Sequence, residues 1–270
     1  MSLPTDTDHA YLALGDGRYQ PTIHTQGAWS EAEQHMAPVS GLLTHALERH
    51  EPRDDLQLAR INFDILGMIP AQESHVRTAT LRPGRTIELI AATLSVGDRD
   101  VVQARAWRLS RQDTSAVAAL EAEPMPAPQD CPAWEGMHVW DGGYISRVDF
   151  RAAADSRPGR ARAWLRSDVE LVEGEQSSDL AAYVGLVDTA NGVGARQAPT
   201  AWMYPNTDLT IHLLRSPRMP WVGLDASASW GQTGLGVTST VLHDQDGPVG
   251  YATQALTVRP LGTSSARHTS

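Results

Sequence analysis

The sequence predicts an α+β chain of two tandem units, each a central helix wrapped by a curved antiparallel sheet. Three observations lead there. The second half repeats the pattern of the first at a fixed offset of 148 residues, with Ile61–Arg111 lying over Leu209–Arg259 without a gap. Each half carries one apolar-striped helical segment followed by a meander of strand-like stretches. Between the halves the composition changes to a stretch rich in proline, alanine and acids. A repeat of pattern with few identities constrains architecture before any residue chemistry is considered.

The repeat is legible position by position. Ile61, Phe63 and Ile65 fall on Leu209, Ile211 and Leu213; Val76 falls on Leu224; Ile87 and Leu89 fall on Leu235 and Val237. Asp98 then meets Asp246, Val101 meets Val249, and Arg111 meets Arg259.

Along the first half, a short segment runs to Leu14, where Gly15-Asp16-Gly17 reads as a turn between strands. Gly27 to His50 reads as helix: Met36, Val39, Leu42, Leu43 and Leu47 recur at three- and four-residue spacing, Pro38 marks a start or kink, and Pro52 closes the run. Leu58–Ile69, Ser74–Leu81 and Thr86–Val96 read as strands, and a turn over residues 97–100 leads to a fourth, Val101–Leu109. Gln112–Ala133, with four prolines, reads as a linker.

The second half opens with Tyr144–Phe150, a turn at Ser156–Gly159 and one strand over Ala161–Glu173. Ser177-Ser178-Asp179 is a helix cap, Leu180, Tyr183, Val184 and Val187 form the following stripe, and Asn191-Gly192 ends it. Strands follow at Asp208–Leu214, Trp221–Trp230 and Gly236–His243, and the turn Asp244–Gly247 leads to Val249–Arg259. Residues 261–270 are small and polar, a frayed tail by composition. A long helix inside a curved antiparallel sheet is the hotdog arrangement, so two units make a double hotdog. The expected division is 1–111 for the first unit, 112–133 for the linker, 134–260 for the second unit and 261–270 for the tail.

Composition narrows the function. The chain has 270 residues, 41% hydrophobic and 20% charged, and no apolar run approaches the ~20 residues that span a bilayer. The N-terminal residues show neither a basic start nor an apolar core, so no secretory signal is expected and the expected compartment is the cytoplasm. One cysteine, Cys131, excludes an internal disulfide and any cysteine-rich metal site. A net charge of −10 argues against electrostatic binding to nucleic acid or anionic membranes. His45 and His50 are five apart, the wrong spacing for two metal ligands on one helical face, and no metal or cofactor is expected. No G-x-S-x-G or Walker A run occurs.

The two copies differ where chemistry could sit. At the repeat offset Ser229 replaces Leu81, Gln254 replaces Ala106 and Asp208 replaces Arg60, so a hydroxyl, an amide and a carboxylate occur in one copy only. Glu31 and Glu33, near the first helix start, are a second-choice acid site. Trp29, Trp202 and Trp230 could line a tunnel or simply pack the core.

From Trp221 to Arg259 the chain resembles the C-terminal part of the bacterial and peroxisomal acyl-CoA thioesterase II family. Trp221, the run Asp225–Ser229, Gly236, the turn Gln245–Gly247 and Gln254 carry the resemblance, with Asp208–His212 and Arg215–Pro217 upstream. In that family an Asp, a Thr and a Gln hold one water and direct it at the thioester carbonyl. The resemblance puts the hydroxyl at Ser229 and the amide at Gln254. Counting back six from His212, as in the family, reaches Asn206, which can hold a water but cannot take its proton. Asp208, two residues on, would share its face of an extended strand. Either Asp208 is the general base from a shifted position, with Ser229 and Gln254 orienting the water, or the site lacks its base. Hydrolysis also needs an oxyanion donor, expected as a backbone N–H near a helix start.

The resemblance thus implies a hydrolase of acyl-CoA or a related thioester, with Arg215 and Arg218 as candidate phosphate contacts. Copies are expected to associate through sheet edges and apolar faces. Two other readings share the fold: an acyl-CoA-binding protein that has lost its base, and an acyl-thioester hydratase or dehydratase, whose Asp and His motif is not visible.

Overall fold

In the computed structural model, which describes residues 2–261, one sheet of thirteen strands curves around two helices. The first unit comprises β1 (His9–Gly15), β2 (Arg18–Pro21), α1 (Met36–Arg49), β3 (Leu56–Ile65), β4 (Ser74–Arg82), β5 (Ile87–Val96) and β6 (Arg99–Ser110). The second comprises β7 (Val148–Ala152), β8 (Arg160–Ser167), β9 (Glu170–Val172), α2 (Asp179–Val187), the one-turn α3 (Ala190–Val193), β10 (Trp202–Met203), β11 (Asp208–Leu213), β12 (Val222–Trp230), β13 (Leu235–Asp244), β14 (Gly247–Thr257) and β15 (Arg259–Pro260). The strand order is β7-β8-β12-β13-β14-β11-β3-β6-β5-β4-β2-β1-β9, with β10 and β15 forming a separate pair. This is a double hotdog.

The repeat offset is also a pairing register. Asn62 pairs with Arg105 as Thr210 pairs with Thr253, and Ala91 pairs with Arg105 as Ser239 pairs with Thr253. The units meet along β3 and β11, where Asn62 pairs with its own repeat mate and donates a side-chain hydrogen bond to Thr210 Oγ1 at 3.0 Å. A pseudo-twofold axis therefore runs between these two residues. The helices pack against each other at Gly41 and Gly185. A Cβ on Gly41 would lie 3.0 Å from the Gly185 Cα and 3.1 Å from the Ala181 carbonyl, so only glycine permits this approach.

Local sequence accounts for the helix ends. α1 starts at Met36 and not at Gly27, because His35 caps it by accepting the Ala37 N–H and Pro38 then sits in the first turn, where its missing N–H costs nothing. It stops at Arg49 because the buried Arg108 guanidinium bonds the carbonyls of Leu47, His50 and Glu51 while pairing with Glu88 at 3.0 Å. Those carbonyls have no acceptor role left inside the helix. α2 starts where Ser178 accepts the Ala181 N–H.

Two strand expectations differ from the structure. Ala161–Glu173 is not one strand: after Ser167 the chain leaves β8, and Glu170–Val172 crosses to pair in parallel with β1. Tyr144–Phe150 begins as a 3₁₀ turn and becomes strand only from Val148. The proline-rich stretch after β6 is irregular with short 3₁₀ turns, and its Met125 and Cys131 pack against Trp164 on β8. Of the expected tail, all but Leu261 lies outside the described residues. No helix among the described residues is long and apolar enough to cross a membrane.

Candidate active site

Asp188 caps the C-terminal end of α2, buried to 3% exposure. A carboxylate there opposes the helix dipole, so its position needs another reason. Its Oδ1 accepts hydrogen bonds from Asn206 Nδ2 at 2.7 Å and Gln254 Nε2 at 3.0 Å. Among the described residues its Oδ2 has no donor within hydrogen-bond range, and it lies 3.9 Å from His35 Nδ1. Burial pushes the carboxyl up to about 6, although the two amide hydrogen bonds pull the other way.

Gln254 stands on the inward face of β14, between buried Ala252 and Leu256, and also donates to the Asp188 backbone carbonyl at 3.1 Å. Asn206 precedes β11. Its Oδ1 accepts from Asn191 Nδ2 at 3.4 Å, and its Nδ2 also donates to the Asp208 carbonyl.

His35 brings the first unit into the cluster. Its Nδ1 accepts the Ala37 N–H at 3.1 Å, so that nitrogen carries no proton and the proton of the neutral ring sits on Nε2. Burial holds the imidazole down to about 3, so the close approach to Asp188 is not an ion pair. The ring stacks on Tyr144 at 4.3 Å, and the Tyr144 hydroxyl bonds Thr189 Oγ1 at 2.7 Å.

Asp188, Asn206 and His35 open into one cavity of about 350 Å³. Met36, Ile65, Met68 and Ile69 supply apolar wall, Trp29 and Trp140 stand edge to face at 4.6 Å, and Arg259 lies at the lining. Glu33 also lines it, its carboxyl raised by burial, whereas Glu31 is exposed. Met36 is the first residue of α1, and its N–H has no acceptor within the helix.

The structure brings Asn206 and Gln254 together and places Asp208 and Ser229 elsewhere. The parity argument for Asp208 fails at a β-bulge. Asn206 bridges Leu256 while Thr210 pairs with Thr253, so four residues of one strand oppose three of the other and the side chains change faces. Asn206 points in; Asp208 points out, where its Oδ1 accepts the Ala255 N–H at 2.6 Å. The same bulge interrupts β3 between Leu58 and Arg60. Ser229 is exposed, like its mate Leu81, and the inward residue at that level of β12 is Ala228.

Arg215 forms a two-point pair with the buried Asp244, and Arg218 pairs with Asp246 at 2.8 Å, so neither is a free phosphate contact. Of these three tryptophans, Trp29 lines the cavity; Trp230 lies outside that lining, tilted against Trp202 and Tyr204. The sequence reading missed Asp188 and His35. Their signals were an acid at the end of an apolar helix and a polar residue just before a helical proline.

Comparison with known proteins bears on the family and the fold. The acyl-CoA thioesterase N-terminal domain model matches residues 25–109, and the acyl-CoA thioesterase C-terminal domain model matches residues 123–258. Among solved structures, a conserved protein of unknown function with a hot dog fold from Alicyclobacillus acidocaldarius is similar at TM-score 0.74 and 14% identity, over 94% of this chain and 98% of that one. The acyl-CoA thioesterase II TesB2 from Mycobacterium marinum is similar at TM-score 0.65 and 15% identity, over 94% and 96%. A tesB protein from Mycobacterium avium subs paratuberculosis is similar at TM-score 0.64 and 15% identity, over 93% and 96%. At these identities the structures show a shared fold. No curated protein matches the chain.

Proposed function

Since the chain belongs to the acyl-CoA thioesterase family, we propose that it hydrolyses acyl-CoA with a water activated by Asp188. The observation that carries this is a buried carboxylate lining the cavity, with one oxygen fixed by two amides and the other accepting no hydrogen bond among the described residues. A base near pH 6 is ionised at neutral pH yet basic enough to accept a proton. Asp188 takes a proton from water, the oxygen attacks the thioester carbonyl, the C–S bond breaks, and the proton passes to the leaving thiolate. Asn206 and Gln254 hold the carboxylate; the Met36 N–H at the helix start and the His35 Nε2–H are the donors for the developing oxyanion.

The acyl group would occupy the methionine- and isoleucine-lined cavity, and Arg259, whose guanidinium donates to Thr257 Oγ1 at 3.3 Å and forms no ion pair among the described residues, would meet the phosphates. This reading keeps a cytoplasmic enzyme needing no cofactor, and copies that associate. Thiol release measured over a panel of acyl-CoAs tests it. No release from any of them, with acyl-CoA still bound, would leave a binding protein.

One observation supports a second reading. His35 and Asp188, one from each unit, share the cavity, and a His and an Asp are what a hydratase would use. A 2-enoyl-CoA that gains water while its thioester stays intact would establish that activity.

A further inference from the structure

The outward face of the seam between the units is uncovered and arranged in charged rows. On β3 the inward residues are Ile61 and Phe63, leaving Arg60, Asn62 and Asp64 outside; on β11 the inward Leu209 and Ile211 leave Asp208, Thr210 and His212 outside. Strand pairing then lays out three rows across β6, β3, β11 and β14. One end reads Trp107, Arg60, His212, Tyr251. The middle reads Arg105, Asn62, Thr210, Thr253. The other end reads Gln103, Asp64, Asp208, Ala255.

This arrangement costs the single chain something at the acidic end, where Asp64 stands directly opposite Asp208; like charges facing across an antiparallel pair destabilise it. At the other end Arg60 stands opposite His212. Among the described residues none of Arg60, Asp64, Asp208 or His212 forms an ion pair. The pseudo-twofold carries Arg60 onto Asp208 and Asp64 onto His212, so neither charge is repeated at its mate.

We propose that this face docks a second copy of the chain, turned end for end about an axis along the middle row. In that pose Arg60 lies over the other copy's Asp64 and His212 over its Asp208. Trp107 and Tyr251 lie over Gln103 and Ala255, so the bulky end meets the small end. The other twofold, about an axis along the strands, would put Arg60 over His212 and Asp64 over Asp208, the second pair carboxylate on carboxylate. Arg105 approaches its own copy in the favoured pose, and its long side chain can turn to the acidic row. The flanking strands present small or apolar outward groups, among them Ala91, Ser239 and Val237. Six strands of this face give roughly 600 Å² per copy, below the ~800 Å² of a standard interface. The expected product is a reversible dimer held largely by charge.

Sedimentation velocity over a concentration series at low and high salt tests the surface. A dimer that weakens in high salt is expected. Arg60→Glu should weaken it at least about tenfold and Asp64→Arg likewise, because each sets like charges face to face. Mixing the two variants should restore assembly, since the introduced glutamate of one copy then faces the introduced arginine of the other, and the unchanged Asp64 faces the unchanged Arg60. A monomer throughout for the wild type, or variants that assemble as well as the wild type, would overturn the proposal. So would a mixture that stays monomeric while thermal melting shows both variants folded.

Discussion

At Asp188 burial and hydrogen bonding compete, and burial wins: the carboxyl titrates near 6 despite two amide donors on one oxygen. Catalysis by the ionised form requires kcat/KM to rise with pH through about 6. Removing a donor in Gln254→Ala raises the carboxyl further, so the acid limb should move to higher pH as well as the rate falling. Asp188→Asn should lower kcat by at least about a hundredfold. Asp208→Asn and Ser229→Ala should stay within about twofold of wild type, because both side chains face away from the cavity; a large loss in either would sink this site assignment.

The same shift makes a stability prediction of definite sign. Between the ordinary carboxylate value of 3.8 and about 6, the folded chain holds a proton on Asp188 that the unfolded chain has lost, so stability falls as pH rises through that window. The cost above pH 6 is about 3 kcal/mol. Asp188→Asn should therefore melt up to about 5 °C above wild type at pH 7 and no higher near pH 4. The neutral His35 acts oppositely, losing stability as pH falls from 6.5 towards about 3. It is present in both proteins and cancels from the comparison.

Among the elements, the two helices decide how closely the units approach. Their crossing leaves no room at Gly41, where an added methyl meets backbone atoms at 3.0 and 3.1 Å. Gly41→Val should cost about 1–3 kcal/mol, read from denaturant midpoints, although the substitution adds only apolar atoms. Arg108 fixes the end of α1 through three carbonyls and Glu88, and its repeat mate is the apolar Leu256. The first unit uses this inward position to hold a helix end. At the repeat offset the mates of Asn206 and Gln254 in that unit are the apolar Leu58 and Ala106, so it holds no second copy of this amide pair.

For the whole molecule, continuity of the sheet through β3 and β11, together with the parallel pairing of β9 on β1, ties the units into one body. The cavity repeats this: His35 and Met36 come from the first unit, Asp188 and Asn206 from the second. Calorimetry should show one unfolding transition with equal calorimetric and van't Hoff enthalpies. Two separable transitions would mean that the seam contributes little.

Period and repetition in the sequence determined the two-unit architecture and singled out Gln254, which stands where the first copy has Ala106. These follow from local alternation and offset, which need no knowledge of distant contacts. Alternation alone could not place Asp208, because one extra residue in a bulge reverses every face after it. Nor could the chain order show that Asp188 meets Asn206, Gln254 and His35. Those residues come from a helix end, a bulged strand, a distant strand and the other unit, and only the closing of the sheet around both helices brings them into one cavity.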